Sequence, residues 1–446
     1  MSYKRSILKG TLILTLTGFA TRFIGFFYRI FLSRTFGEEG VGLYQLIFPI
    51  YALCFSITSA GIQTALSRCI ASLSSPNSDE GKKQLLTISI LISLLLSCIT
   101  MIFLQSNSKT IALTLLGDNR CESLLIVMSY ALPFGSVHSC ICGYYYGLRK
   151  TQIPALSQLI EQFIRVGSVY IIYLIGQLKS LPLSISVATI GLVFGEIASC
   201  SFCIWFIRND LHDSITPFHL HQKSHTITYI KHLKELVFLS IPLTANRILL
   251  NVLQSVEAIS IPTTLQQYGL KNVGALSTFG VLTGMALPCI LFPSAITTSV
   301  SIMLLPTVAE MQAANHLTQL KKLVNRVCIA CFLLGGFCSI LFFVCGSFIG
   351  NLLFHSRMAG DFIVTLSFIC PFLYTNSALL SILNGLGKTT LTFCINAFSL
   401  SLRILSVYLL IPYYGIIGYL WGLLGSQLFI SILSIYFLKK NLVSSI

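Results

Sequence analysis

Residues 133–170 read PFGSVHSCICGYYYGLRKTQIPALSQLIEQFIRVGSVY, and a shift of 238 positions lays them without a gap on residues 371–408, PFLYTNSALLSILNGLGKTTLTFCINAFSLSLRILSVY. Pro133/Pro371, Gly147/Gly385, Lys150/Lys388, Arg165/Arg403 and Tyr170/Tyr408 are among the identities. Each copy is two apolar runs joined by a short basic loop, so the repeated element is a pair of membrane helices. Counted along the chain, both loops fall on the same side, which makes the repeat parallel rather than inverted.

The rest of the chain extends this pattern. Of its 446 residues 54% are hydrophobic and 10% charged, and the mean hydropathy is +0.83. Soluble domains carry about a quarter charged residues, so an all-α integral membrane protein is expected. Apolar runs bounded by charges or turn residues fall at 10–33, 41–66, 84–105, 123–147, 153–176, 183–207, 236–264, 273–305, 325–350, 362–386, 391–412 and 416–438. That predicts twelve transmembrane helices. The eighth run is too long for one straight crossing and has Pro288, Pro293 and Pro306 in or beside it, so a kink or an early end is expected.

Lys and Arg in the loops set the orientation. With the N-terminus inside, eighteen basic residues lie on the cytoplasmic face and six on the other, which places both termini in the cytoplasm. The net charge of +15 is thus dispersed between apolar runs instead of massed beside exposed aromatics, which argues against nucleic acid as a partner. The first run exceeds a signal peptide's apolar region and has no small-residue cleavage site, so it is expected to remain as a span.

The repeat predicts two six-helix bundles, 1–208 and 232–446, joined by a polar cytoplasmic segment at 209–231. Substrate sites of repeat-built transporters lie at such a junction of halves. The joint is rich in histidine, His212, His219, His221 and His225 among them, and is read as a solvated linker. Fifteen cysteines lie mostly in apolar runs. Cys200/Cys203 and Cys328/Cys331 have C-x-x-C spacing, but no further ligands stand beside them in sequence, so they are read as small helix-packing residues and no metal is expected. The stretch 385–389, GLGKT, resembles the end of a phosphate-binding loop, yet Ile382 stands where its first glycine belongs. No cofactor is implied, and without a placed nucleophile or acid–base pair an enzyme is not expected.

Charge inside the membrane is what needs explaining. Arg22, Arg29, Arg165, Arg247 and Arg403 fall within spans, against Glu161, Glu196 and Glu257. A charged side chain at the centre of a bilayer costs roughly 3 kcal/mol on insertion scales, so such groups face a bundle interior or a wet cavity. Arg22 and Arg29 share one helical face with Thr11, Thr15, Gly18 and Gly25. Arg165 follows Glu161 at i,i+4, a spacing that allows mutual neutralisation. Arg247 begins a polar stripe with Asn251, Gln254 and Glu257, and Arg403 lies on one with Asn396, Ser399 and Ser406. Guanidinium groups remain protonated and fit phosphate oxygens bidentately, so the five arginines are the expected contacts for an anionic headgroup. Arg22 and Arg247 are the strongest candidates, since Ala20-x-Arg22 corresponds to Ala245-x-Arg247 in the second half. Glu196 is read as a helix-packing group.

Residues 9–53, KGTLILTLTGFATRFIGFFYRIFLSRTFGEEGVGLYQLIFPIYAL, with 58–68, TSAGIQTALSR, and 384–390, NGLGKTT, resemble the polysaccharide-export and stage V sporulation protein B-like branch of the multidrug/oligosaccharidyl-lipid/polysaccharide (MOP) exporter superfamily. The resemblance implies paired six-helix bundles, alternating access and a lipid-linked saccharide as substrate, as in the related lipid II flippases. It also implies a monomer in the bacterial inner membrane, with membrane lipids and a coupling H+ or Na+ as further partners. The flippases carry a cavity arginine in a Ser/Thr-Arg-x-x-Gly-Phe sequence, which Thr21, Arg22, Gly25 and Phe26 match; their next arginine falls at Tyr28 here, beside Arg29. The function expected is outward movement of an undecaprenyl-pyrophosphate-linked precursor of cell wall, spore cortex or polysaccharide. The alternative is a multidrug antiporter of the same fold, with Glu257 as the ion-coupling residue.

Overall fold

The computed structural model describes residues 2–73, 79–180, 183–212, 224–314 and 316–443, and all regular structure among them is helical. Of the joint expected at 209–231, residues 213–223, with His219 and His221, lie outside the described residues, and the rest continues the helices on either side. Among the described residues eleven helices are long and apolar enough to cross a membrane, or twelve with one bent pair. All twelve expected runs lie on them.

The first helical run, Ser2–Phe55, breaks at Gly37, whose φ of 70° and ψ of 179° belong to a region open to glycine alone. The break separates α1 (residues 2–36) from α2 (38–72). Within α2 the residues Ser56–Ala60 form a π-turn. Next come α3 (Asp79–Ser106) and α4, which is made of Cys121–Ser129 and Ala131–Gly147 with a bend of 40° between them. Pro133 supplies the cause, because it lacks the N–H that Ser129 O needs. Helices α5 (Gln152–Leu178), α6 (Ser186–His212) and α7 (Ser224–Gln267) follow.

Helix α8 is interrupted at its prolines, as the sequence predicts, and its two parts, Asn272–Leu291 and Ser294–Ala313, are each long and apolar enough to cross a membrane. Pro293 removes one donor, and every carbonyl around the break has found another partner. Phe292 N–H donates to Cys289 O at 3.3 Å, the Tyr374 hydroxyl to Ile290 O at 2.7 Å and the Ser294 hydroxyl to Leu291 O at 2.6 Å. In a hydrocarbon layer an unpaired backbone group costs several kcal/mol, which is why the break carries its own set of caps. The chain closes with α9 (Leu317–Phe354), α10 (Arg357–Gly385), α11 (Thr389–Tyr414) and α12 (Ile416–Val443).

These helices form two compact units. One takes the residues through Thr21 together with Leu46–Ser255; the other takes Arg22–Gln45 and the chain from Val256 onward. The chain therefore changes unit within α1, α2 and α7, whereas the sequence reading placed its division at 209–231. In the first unit α4 lies against α2, α3 and α6, and α5 against α6; in the second α10 lies against α8, α9 and α12, and α11 against α12. The same order of neighbours in both is compatible with a parallel repeat. Each unit has its own core, around Leu66, Ile141 and Tyr145 in the first and Val308, Ile382 and Leu383 in the second. Outward faces stay apolar: Phe337, Ile340, Val344 and Phe348 of α9 are all exposed, as a lipid-facing stripe requires.

Small residues sit where backbones meet. A Cβ on Gly143 would fall 2.7 Å from Gln63 O, and one on Gly280 would fall 2.3 Å from Glu38 O and 2.5 Å from Gly42 N. Gly280→Ala should therefore cost roughly 1–3 kcal/mol through overpacking and lower the melting temperature in detergent. Gly167→Ala, with nothing within 4 Å of its Cβ, should leave melting unchanged or raise it slightly; equal melting of the two variants would contradict the close approach at Gly280.

Candidate functional site

The five intramembrane arginines fall into two classes by what each guanidinium touches. Arg165 forms an ion pair with Glu161, one turn earlier on α5. Arg403 on α11 places Nε 2.7 Å from Glu257 Oε1 on α7. The Tyr419 hydroxyl of α12 joins this second pair, donating to Glu257 at 2.6 Å while standing 3.1 Å from Arg403 Nη2. Glu257 is only 4% exposed, so its charge is tolerable there because Arg403 neutralises it and Tyr419 completes its hydrogen bonds. The repeat-related residues Arg165 and Arg403 are thus both matched by carboxylates, one from the same helix and one from another.

Arg22, Arg29 and Arg247 have no ion pair among the described residues. In the second unit Arg22 is exposed and donates to the Thr298 hydroxyl of α8 at 3.1 Å. In the first unit Arg247 is exposed and lies 3.4 Å from the Thr64 hydroxyl of α2. An arginine offers five N–H donors, so a single threonine leaves most of each guanidinium free. The stripes read from sequence put these residues on polar faces, and the fold adds the threonines that hold them.

Arg29 has a different task. Residues Val281–Ala286 of α8 form a π-turn, in which Leu287 N–H donates to Leu282 O. Thr283 O would look to residue 287 or 288 for a donor, but the first is engaged and Pro288 has no N–H. Arg29 Nη1 reaches that carbonyl at 3.3 Å. A second π-turn, Ser56–Ala60 in α2, also receives side-chain donors: Asn251 of α7 bonds to Ser56 Oγ and, at 3.3 Å, to Ala52 O. Neither π-turn was legible in the sequence, since a single inserted residue leaves the hydrophobic period almost unchanged.

A further cluster in the first unit escaped the sequence reading. His138 of α4 lies between two groups of ligand-type side chains. Its Nε2 is 3.0 Å from Ser157 Oγ of α5, which in turn is 3.6 Å from Cys142 Sγ. Its Nδ1 is 3.6 Å from Glu196 Oε2 of α6 and 3.3 Å from Ser199 Oγ. The other Glu196 oxygen accepts from the Tyr51 hydroxyl at 3.4 Å. One ligand atom each of His138, Cys142 and Cys203 lie within 4.8 Å of one another, as do those of His138, Glu161 and Glu196. Cys203 has no ligand-type neighbours beside it in sequence beyond Cys200, and the side chains that meet it come from α4, some sixty residues earlier, through the pairing of α4 with α6. Glu196, read from sequence as a helix-packing group, here lies between the Tyr51 hydroxyl and the His138 imidazole.

Two classes of arginine predict two responses to mutation. Glu257→Gln should cost about 3–5 kcal/mol by leaving a buried guanidinium unmatched, whereas Glu257→Leu with Arg403→Leu should recover most of that loss. Arg22→Ala should change stability by no more than about 0.5 kcal/mol. Thermal or denaturant unfolding of the purified variants checks the order; similar costs for Glu257→Gln and Arg22→Ala would refute the sorting.

Comparison with known proteins places this architecture. A family model described as polysaccharide biosynthesis protein matches residues 7–312. Stage V sporulation protein B of Bacillus subtilis (strain 168) is 28% identical over 388 residues, covering 86% of this chain and 74% of that protein. Lipid II flippase MurJ of the same organism is 26% identical over 168 residues, 36% of this chain and 31% of that one. Among solved structures, an inward closed conformation of lipid II flippase MurJ superposes with a TM-score of 0.75 at 14% identity, covering 97% of this chain and 89% of its own. An inward-facing multidrug resistance MATE family transporter of the MOP superfamily gives 0.69 at 14% identity, with 96% and 94% covered. The match over more than half of the sequence, on a multi-pass helical fold like that of those solved transporters, establishes that the chain belongs to the polysaccharide biosynthesis protein family.

Proposed function

We propose that this protein is a flippase that moves an undecaprenyl-pyrophosphate-linked saccharide, a precursor of cell wall, spore cortex or polysaccharide, outward by alternating access. The observation that carries the reading is the pair Arg22 and Arg247, each held by one threonine and by no carboxylate among the described residues. An intramembrane guanidinium is expensive unless it meets an anion or water, and a pyrophosphate supplies the planar acceptor pattern that arginine fits. Arg29 extends the basic face of α1 while bracing the π-turn of α8. Arg165 and Arg403 then act as matched structural charges that reach the headgroup only if their carboxylates are released. Similarity to stage V sporulation protein B and to a lipid II flippase supports the same substrate class.

The two bundles, 1–208 and 232–446, would move as the alternating elements, with both termini cytoplasmic in a bacterial inner membrane and the protein acting as a monomer. An H+ or Na+ gradient, or the membrane potential acting on bound charge, would drive the cycle. The antiporter alternative asks Glu257 to bind a coupling ion or a cationic drug. Its carboxylate already has the chain's own cation, Arg403, at 2.7 Å, which favours the anion-carrying reading.

Translocation of a fluorescent undecaprenyl-pyrophosphate saccharide in proteoliposomes tests the proposal. Loss of charge-assisted hydrogen bonds worth about 1.5–3 kcal/mol predicts that Arg22→Ala and Arg247→Ala each slow transport roughly tenfold or more. Arg22→Lys should retain part of the activity. Wild-type protein that carries no such lipid under either an imposed proton or sodium gradient would sink the proposal, and drug efflux lost on Glu257→Gln would establish the antiporter.

A further inference from the structure

We propose that the first unit contains a zinc site built from His138, Cys142 and Cys203, with Glu196 orienting the imidazole. The three ligand atoms lie within 4.8 Å of one another, and both thiols are buried, Cys142 at 5% and Cys203 at 0% exposure. Tetrahedral zinc with Zn–S near 2.3 Å and Zn–N near 2.0 Å sets its ligand atoms about 3.6 Å apart, a distance reached from here by side-chain rotation. Ser157 Oγ, next to both Nε2 and Cys142 Sγ, stands where the fourth position would open to its hydroxyl or a water.

Three independent features point to a metal. The first is the placing of the imidazole: Nε2 meets Ser157 Oγ, which touches Cys142 Sγ, while Nδ1 on the other side lies 3.3 Å from Ser199 Oγ and 3.6 Å from the Glu196 carboxylate. A histidine ligand almost always donates its other N–H to a carboxylate or carbonyl, so the ring is already set as a ligand would be. The second is the donor set: two sulfurs and an imidazole suit zinc, whereas a hard oxygen-seeking cation would leave the sulfurs unused.

The third is the other half of the repeat. His138 aligns with Asn376, Cys142 with Leu380 and Ser157 with Ile395. There α10 and α12 are joined by neutral hydrogen bonds, with Asn376 Nδ2 donating to Gln427 at 2.9 Å and Ser431 Oγ donating to Asn376 Oδ1 at 2.6 Å. The corresponding crossing of α4 with α6 has metal-ligand chemistry in its place. Zinc would staple α4 to α6 beside α5 and make that part of the unit rigid. The site lies little more than one helical turn from the end of α4 at Gly147, where Lys150 and Asp210 pair at 3.0 Å, so the ion has a short way in.

The full-length protein, purified in detergent with reductant and without chelator, should hold about one zinc per chain by elemental analysis. Cys142→Ser and Cys203→Ser should each lose it. Cys200→Ser, buried on the same helix outside the cluster, should keep it. Glu196→Gln should retain the site but weaken zinc binding about 10–100-fold. Because the cysteine variants can fail to fold, cobalt(II) is also added to the metal-stripped wild-type chain. Thiolate-to-cobalt charge-transfer and tetrahedral d–d bands that disappear with equimolar zinc would support the site. Wild-type protein with neither zinc nor cobalt bands would overturn it and leave His138 and Glu196 as an ion pair alone. Zinc retained by a Cys142→Ser/Cys203→Ser double variant, or a Cys142–Cys203 disulfide in the intact mass of the protein purified without reductant in place of bound zinc, would overturn it as well.

Discussion

A guanidinium group inside a hydrocarbon layer has to meet an anion, a set of acceptors or water, and the helices around each arginine in this protein are arranged by which of these it meets. Arg403 has Glu257 and Tyr419, so α7, α11 and α12 are joined at one buried, neutral point. Arg165 has Glu161 on its own helix and binds no second element through that pair. Arg22 and Arg247 have one hydroxyl each. The chain matches Arg165 and Arg403 with carboxylates and leaves these two without one among the described residues.

The same requirement governs the backbone. Where α8 is interrupted by a π-turn and by Pro293, the freed carbonyls of Thr283, Ile290 and Leu291 are taken by Arg29, Tyr374 and Ser294. Helix α2 has its own π-turn, attended by Asn251. Such interruptions give a membrane helix places to bend, and the capping side chains come from helices packed against them. Arg29 therefore links the basic face of α1 to an irregular stretch of α8, so loss of its charge acts on structure as well as on any anion.

The two units use one order of helix neighbours with different chemistry at the same crossing. Asn376, Gln427 and Ser431 join α10 to α12 through neutral hydrogen bonds, while His138, Cys142, Cys203 and Glu196 occupy the junction of α4 and α6. Divergence of this kind leaves the backbone arrangement intact because helix packing depends on small residues at close contacts, such as Gly143 against Gln63 and Gly280 against Gly42.

Twelve apolar runs, the prolines of the eighth and the recurrence of residues 133–170 at 371–408 were sufficient to specify an all-helical membrane protein, because length and hydropathy are local and a membrane admits few alternatives. The arginines too were visible, since charge within an apolar run is conspicuous in one dimension. Their partners were not. Glu257 lies 146 residues before Arg403 and Thr298 lies 276 after Arg22; Cys142 and Cys203 come together only because α4 packs on α6. Which charges are neutralised, which remain open and which side chains converge depends on helix pairing and rotation, and these are settled by side-chain fit across interfaces that no single run of sequence contains.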